Sequence, residues 1–172
     1  MPRINLNIPC YSPNWGSHTV VLLKIFEISQ GPVLEMGIGV FSTPLLHALC
    51  KRDNRLLVSY DNDAAYINAH RGFITDGHQL TLVKDWDKID IQSTKWGMAF
   101  MDHGPGDRRV EDTKKLANIA QFVVVHDTEL RQEKYYHSTE IDSIFKYRFD
   151  YKELEPNTSV FSNFVDITNL KI

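Results

Sequence analysis

The 172 residues carry 19 Lys+Arg against 22 Asp+Glu, a formal charge of −3, with 42% hydrophobic and 24% charged residues. That length suits one domain spanning residues 1–172, and that composition suits a buried core, which excludes disorder as the main state. The acidic surplus gives no general attraction to phosphate and disfavours nucleic acid as a partner.

Two cysteines, Cys10 and Cys50, are too few for a disulfide scaffold. No apolar run reaches the ~20 residues of a membrane helix, and Met1 to Asn5 lacks the apolar stretch of a signal peptide. The expectation is a cytoplasmic protein with no membrane partner.

In chain order, Pro9 to Ser17 reads as a loop, and Ser17 is placed to cap a helix from His18 to Ile28 with apolar Val21, Leu22, Ile25 and Phe26. Gly31-Pro32 stops it. Residues 1–30 form an N-terminal segment and helix, and 31–172 a sheet core. Val33–Met36 is a short buried strand ending at Gly37, followed by a helix over Pro44–Cys50. Strands Leu56–Tyr60, Gln79–Val83 and Trp96–Met101 alternate with helices Asp63–Gly72 and Glu111–Asn118. Phe122–Val125 is uniformly apolar, as central parallel strands are. Tyr147–Leu154 and Val160–Ile167 alternate about a Pro156-Asn157 turn and predict an antiparallel pair. The fold class expected is α/β: a doubly wound, mostly parallel seven-stranded sheet with a C-terminal antiparallel hairpin and helices on both faces.

Ligands of such sheets sit beyond the carboxyl ends of the strands. The first strand delivers Glu35-Met36-Gly37-Ile38-Gly39, then Phe41-Ser42-Thr43; the second delivers Asp61-Asn62-Asp63. Glycine permits a tight turn close to a ligand, and a carboxylate after the second strand accepts both hydroxyl protons of a ribose. The third strand delivers Asp85-Trp86, a carboxylate and an aromatic face suited to adenine. Asp102-His103 and His126-Asp127 follow the fourth and fifth strands. A dinucleotide fingerprint requires a third glycine where Ser42 stands, which argues against NAD.

From about residue 14 onward the chain resembles the Rossmann-like, class I S-adenosylmethionine-dependent methyltransferases. Glu35-x-Gly37-x-Gly39 looks like their first motif, and Phe41-Ser42-Thr43 is similar to a segment of small O-methyltransferases. The resemblance implies S-adenosylmethionine as cofactor. It places Glu35, Gly37, Gly39 and Ser42 around the methionine part, Asp61 with Asn62 at the ribose, Asp85 with Trp86 at the adenine, and Asp102 alongside. The terminal hairpin matches the reversed strand of that fold.

A hydroxyl acceptor needs a base or a metal to lower its proton affinity. Asp102, His103, His126 and Asp127 are the candidate catalytic residues, in two versions. Either His126 or His103 is a general base oriented by a carboxylate, or Asp102 and Asp127 bind magnesium or manganese, which hard oxygen ligands favour. The segment Val123 to Glu129 is similar to the strand end of cation-dependent O-methyltransferases, but Thr128 stands where those carry asparagine. The loop Asp102 to Arg109 more loosely resembles methyltransferases of plant cell-wall polysaccharides. Arg108 and Arg109 are read as an anion clamp, or as a surface pair with Glu111 or Asp112. His18 is read as a cofactor or substrate contact, or as a solvent-facing residue, and Tyr135 as a substrate contact. His47, His70 and His78 lack metal-ligand spacing and read as structural.

The activity expected is methyl transfer to an oxygen of a small molecule or saccharide. An RNA methyltransferase, with local basic patches at Lys51-Arg52 or Arg108-Arg109, and a non-catalytic S-adenosylmethionine- or nucleotide-binding protein are the alternatives. The sheet consumes most of the length. The acceptor site is therefore expected to be open, or completed by another subunit in a homo-oligomer.

Overall fold

A computed structural model describes residues 13–172. Met1 to Asn5, Cys10 and the start of the expected opening loop lie outside them. The elements are α1 (Thr19–Ile28), β1 (Val33–Met36), α2 (Ser42–Asp53), β2 (Leu57–Asp61), α3 (Ala64–His70), β3 (His78–Leu82), β4 (Trp96–Met101), α4 (Gly106–Leu116), β5 (Ala120–His126), α5 (Glu133–Tyr136), β6 (Tyr147–Tyr151) and β7 (Thr158–Ser162). They form one seven-stranded sheet in the order β3-β2-β1-β4-β5-β7-β6. β1 to β5 are parallel, and β7 runs antiparallel to both β5 and β6. This is the expected α/β architecture.

Alternation along the strands sorts the core onto two faces. Leu34 and Met36 of β1 pack on one face with Ala99, Met101, Val123 and Val125, against Val110 and Leu116 of α4. Val33 points the other way, with Leu57, Met98, Phe100 and Val124, against Val21, Leu22 and Ile25 of α1 and Leu46 of α2. Helices thus cover both faces, which is why the central strands read as continuous apolar runs.

Several boundaries differ from the expected ones. α2 begins at Ser42 rather than Pro44, and α4 at Gly106 rather than Glu111, so half of the expected 102–109 loop is helix. Asp63 caps α3 by accepting the Ala65 N–H at 2.7 Å, but the helix tightens to a 3-10 turn at Arg71–Phe73. β7 ends at Ser162, well before Ile167, because the Ser162 hydroxyl accepts the N–H groups of Phe164 and Val165 at 3.0 Å each and turns the chain. Among the described residues no helix is long and apolar enough to cross a membrane.

Candidate active site

β1 lies between β2 and β4, so the chain reverses its direction of progress across the sheet there, and a crevice opens above the carboxyl ends. A cavity of about 520 Å³ occupies that place. The turn after β1 forms one wall. Gly37 adopts φ +97°, and a Cβ on it would lie 2.5 Å from the Asp102 carbonyl carbon. Only glycine lets this turn pass so close to the end of β4. The following Ile38 N–H donates to Asp61 Oδ2 at 2.7 Å, tying the turn to the end of β2. Asp61 Oδ1 accepts the Asp63 N–H at 2.7 Å. A carboxylate offers about four lone-pair sites, so acceptor capacity remains on Asp61, which lines the cavity with Asn62.

Glu35 lies beneath this turn. It is 0% exposed and accepts hydrogen bonds from Thr43 Oγ1 at 2.8 Å and Ser59 Oγ at 2.6 Å. Burial pushes its carboxyl up to about 7 despite those hydroxyls. Thr43 also accepts the Gly39 N–H at 3.1 Å, so Glu35 supports the glycine turn from below. Ser42 is likewise buried at the start of α2, and neither residue lines the cavity.

The opposite wall comes from β4 and β5. Arg109 of α4, 7% exposed, holds their ends together. Its Nε donates to the His103 carbonyl at 2.8 Å, Nη1 to the His126 carbonyl at 3.2 Å and Asp127 Oδ2 at 2.9 Å. Its Nη2 donates to the Asp102 carbonyl at 3.0 Å and pairs with Asp102 Oδ1 at 2.9 Å. The guanidinium also stacks 4.5 Å from the Tyr136 ring centroid. Arg109 is therefore an internal brace and does not present an anion clamp to the cavity. Arg108 is engaged too, by Asp87 at 2.8 Å and Asp112 at 2.9 Å, the second being one of the two surface partners expected for it.

Asp102 and Asp127 share this one guanidinium, so the pair of carboxylates expected to bind magnesium or manganese does not stand as a free all-oxygen donor set. The residues present do not fit an oxygen-only metal site. Burial pushes the Asp102 carboxyl up, but Arg109, His126 and His18 pull it further down, and it stays below the usual carboxylate range.

His126 Nδ1 stands 3.4 Å from Asp102 Oδ1 and 3.7 Å from Asp127 Oδ1. Burial lowers its pKa, but the two carboxylates more than compensate, and the net shift is upward. Its Nε2 meets Ser17 Oγ at 2.9 Å. His18 is 2% exposed, not solvent-facing, with ring centroids 4.8 Å from Phe100 and 4.7 Å from His126. Burial, reinforced by His126, drops its pKa to about 3. His103 also lines the cavity, but its Nε2 pairs with fully buried Asp112 at 3.1 Å. Burial holds its pKa down even so.

Asp85 and Trp86 do not line the cavity. Asp85 caps a 3-10 turn by accepting the Asp87 N–H at 3.1 Å, and Trp86 is buried with Nε1 donating to the Gly104 carbonyl at 3.1 Å. Tyr135 is 56% exposed, whereas its neighbour Tyr136 lines the cavity; one residue along a helix rotates a side chain by about 100°. Phe41 of the Phe41-Ser42-Thr43 segment lines it too, as do Trp15 and Tyr66, to which the sequence reading gave no role. Tyr66 was the most legible of these, because the Asp63 cap sets its position in the first turns of α3.

No protein-family model and no curated protein sequence matches the chain. Solved structures do. Cofactor-bound Rv0187 from MTB superposes with a TM-score of 0.67 at 13% identity, covering 94% of this chain and 85% of that one. A Klebsiella pneumoniae protein described as an O-methyltransferase gives 0.65 at 11%, covering 91% and 83%. The N-terminal domain of human METTL16 in complex with SAH gives 0.60 at 12%, covering 92% and 73%. The chain has the fold of the class I S-adenosylmethionine-dependent methyltransferases. At these identities the likeness is one of fold, and it leaves the substrate class open.

Proposed function

We propose that the chain binds S-adenosylmethionine in this cavity and transfers its methyl group to an oxygen of a small molecule or saccharide. The observation that carries the reading is the 2.7 Å bond from Ile38 N–H to Asp61, which fixes a glycine turn and a ribose-compatible carboxylate at the switch point of the sheet. The cavity volume of about 520 Å³ lies within the roughly 300–1,000 Å³ common for ligand sites.

The bound cofactor supplies an electrophilic methyl group on a sulfonium. Asp61 and Asn62 bind the ribose edge, while Gly37 and Gly39 let backbone approach. An acceptor hydroxyl bound in the cavity would have to give up its proton to a group of this chain. His126 is the group placed to take that proton through Nδ1, because Asp102 and Asp127 both face that nitrogen and stabilise the imidazolium. Arg109 positions both carboxylates. His103, tied to Asp112, is placed less favourably as a base.

Calorimetry with S-adenosylhomocysteine tests the reading. Binding is expected, and Asp61→Ala should weaken it by roughly 10–100-fold, from charge-assisted hydrogen bonds worth about 1.5–3 kcal/mol. His126→Ala should keep that affinity and lose turnover with an oxygen acceptor. No binding by the folded wild-type chain refutes the proposal.

A further inference from the structure

His18 poses a specific problem. Its imidazole is 2% exposed, yet neither ring nitrogen has a hydrogen-bond partner among the described residues. A buried polar atom left without a partner costs about 1–3 kcal/mol, and a cation in the cavity would satisfy one of the two ring nitrogens. The ring lines the cavity, as do Asp102 and His126, and one donor atom from each of the three lies within 4.8 Å of the other two.

The neighbours of this trio resemble an outer coordination shell. The Ser17 hydroxyl donates its hydrogen to the Pro156 carbonyl at 2.6 Å, so it can only accept from His126 Nε2–H at 2.9 Å. In the neutral ring that contact leaves the Nδ1 lone pair facing Asp102, the form a metal would hold, whereas the imidazolium donates Nδ1–H to the carboxylate. Metal-bound histidines commonly donate their other N–H to an oxygen in this way. Nδ1 lies 3.4 Å from Asp102 Oδ1, long for a hydrogen bond. Two donors bound to zinc at about 2.0–2.1 Å with a tetrahedral angle stand about 3.4 Å apart. Arg109 hydrogen-bonds the same carboxylate at 2.9 Å, as outer-shell partners of ligating carboxylates do.

We propose that His18, Asp102 and His126 form a binding site for a late first-row divalent cation such as zinc or cobalt, with an open coordination position toward the cavity. Two imidazoles and one carboxylate select such ions over magnesium, which prefers oxygen donors. Three protein ligands leave room for a water or an acceptor oxygen, the arrangement of catalytic rather than structural sites. The set differs from the oxygen-only pair expected from the sequence. Arg109 pairs with both carboxylates, but the donor atoms that lie within 4.8 Å of one another are those of His18, Asp102 and His126, and His18 enters from the segment before α1. The site takes up the same His126 Nδ1 that the preceding proposal uses for the acceptor proton, and so gives that nitrogen a different role when metal is bound; a chain that binds S-adenosylhomocysteine but no zinc keeps the preceding proposal and loses this one.

The test uses untagged, chelator-stripped protein titrated calorimetrically with zinc, cobalt and magnesium chlorides. One equivalent of zinc or cobalt should bind, with magnesium far weaker. His18→Ala and His126→Ala should each weaken zinc binding by more than the roughly 10–100-fold seen on losing an outer-shell partner, while His137→Ala, an exposed control, should not. X-ray absorption on zinc-loaded wild-type protein should show two imidazoles and oxygen, and it decides the matter should the variants fail to fold. The proposal is overturned by absence of stoichiometric uptake, by an all-oxygen shell, by magnesium binding as tightly as zinc, or by unchanged affinity in a folded His18→Ala chain.

Discussion

Arg109 is the residue whose loss has the most calculable effect. An arginine has five N–H donors, and each here finds an acceptor: the carbonyls of Asp102, His103 and His126 and the carboxylates of Asp102 and Asp127. Arg109→Met keeps the length of the side chain but leaves two partly buried anions facing one another. Removing one partner of a buried ion pair costs about 3–5 kcal/mol. For a chain of this size 1 kcal/mol moves Tm by roughly 2–4 °C, so the midpoint should fall by roughly 6–20 °C. The sign of the pH dependence also follows. Asp102 titrates below its ordinary value in the folded chain, so the stability it contributes is present above the unfolded pKa, about 4, and is lost as pH falls. The gap between wild type and variant should therefore be widest near neutrality and shrink in acid. Arg109 also holds the His126 pKa down, so the His126 titration followed by NMR should move upward in the variant. Urea denaturation at several pH values checks the first claim. A loss below 1 kcal/mol at pH 7 with an unmoved His126 would refute the assigned role of Arg109.

Glu35→Gln tests the buried carboxyl. Its pKa rises from 4.5 to about 7, so the folded chain binds the extra proton in that window and stability falls as pH rises through it, by about 3 kcal/mol at 1.36 kcal/mol per unit; the glutamine variant should lack this slope in denaturation curves from pH 5 to 7. Gly37→Ala should abolish S-adenosylhomocysteine binding in calorimetry, since its Cβ would lie 2.5 Å from the Asp102 backbone at a φ of +97°. Asp85→Ala should leave that affinity unchanged, because Asp85 lies off the cavity, whereas Tyr66→Ala should weaken it; the reverse result would move the adenine end to β3.

The strand pattern was readable because burial on both faces forces apolar runs such as Phe122 to Val125, and no local signal competes with them. The start of α4 was not, since Gly106 and Asp107 look like loop residues. What glycine serves there is a tertiary contact that the sequence does not display: a Cβ on Gly106 would come 2.4 Å from the Tyr136 ring, so glycine lets α5 close over the helix start. The role of Arg109 was hidden for the same reason. In the sequence it stands beside Arg108 in a polar stretch, and its five acceptors come from the ends of two strands that only the sheet brings together.

Asp61 and Asp85 show most sharply where a linear reading stops. Asp61 closes β2 and Asp85 follows β3, and each accepts the N–H two residues on, so their local signals are alike. The sheet order separates them. β2 adjoins β1, and its carboxyl end meets the glycine turn through Ile38, whereas β3 is the edge strand and its following residues run outside the cavity wall. His18 makes the complementary point. A histidine at the start of an amphipathic helix has no mark of burial in the sequence, but with Phe100 on one side and His126 on another it becomes an inward-facing donor. What a strand-end residue can do is set by what stands next to it: residues 102 and 126 meet because β4 pairs with β5, and residue 18 joins them because the start of α1 packs on Phe100 of β4.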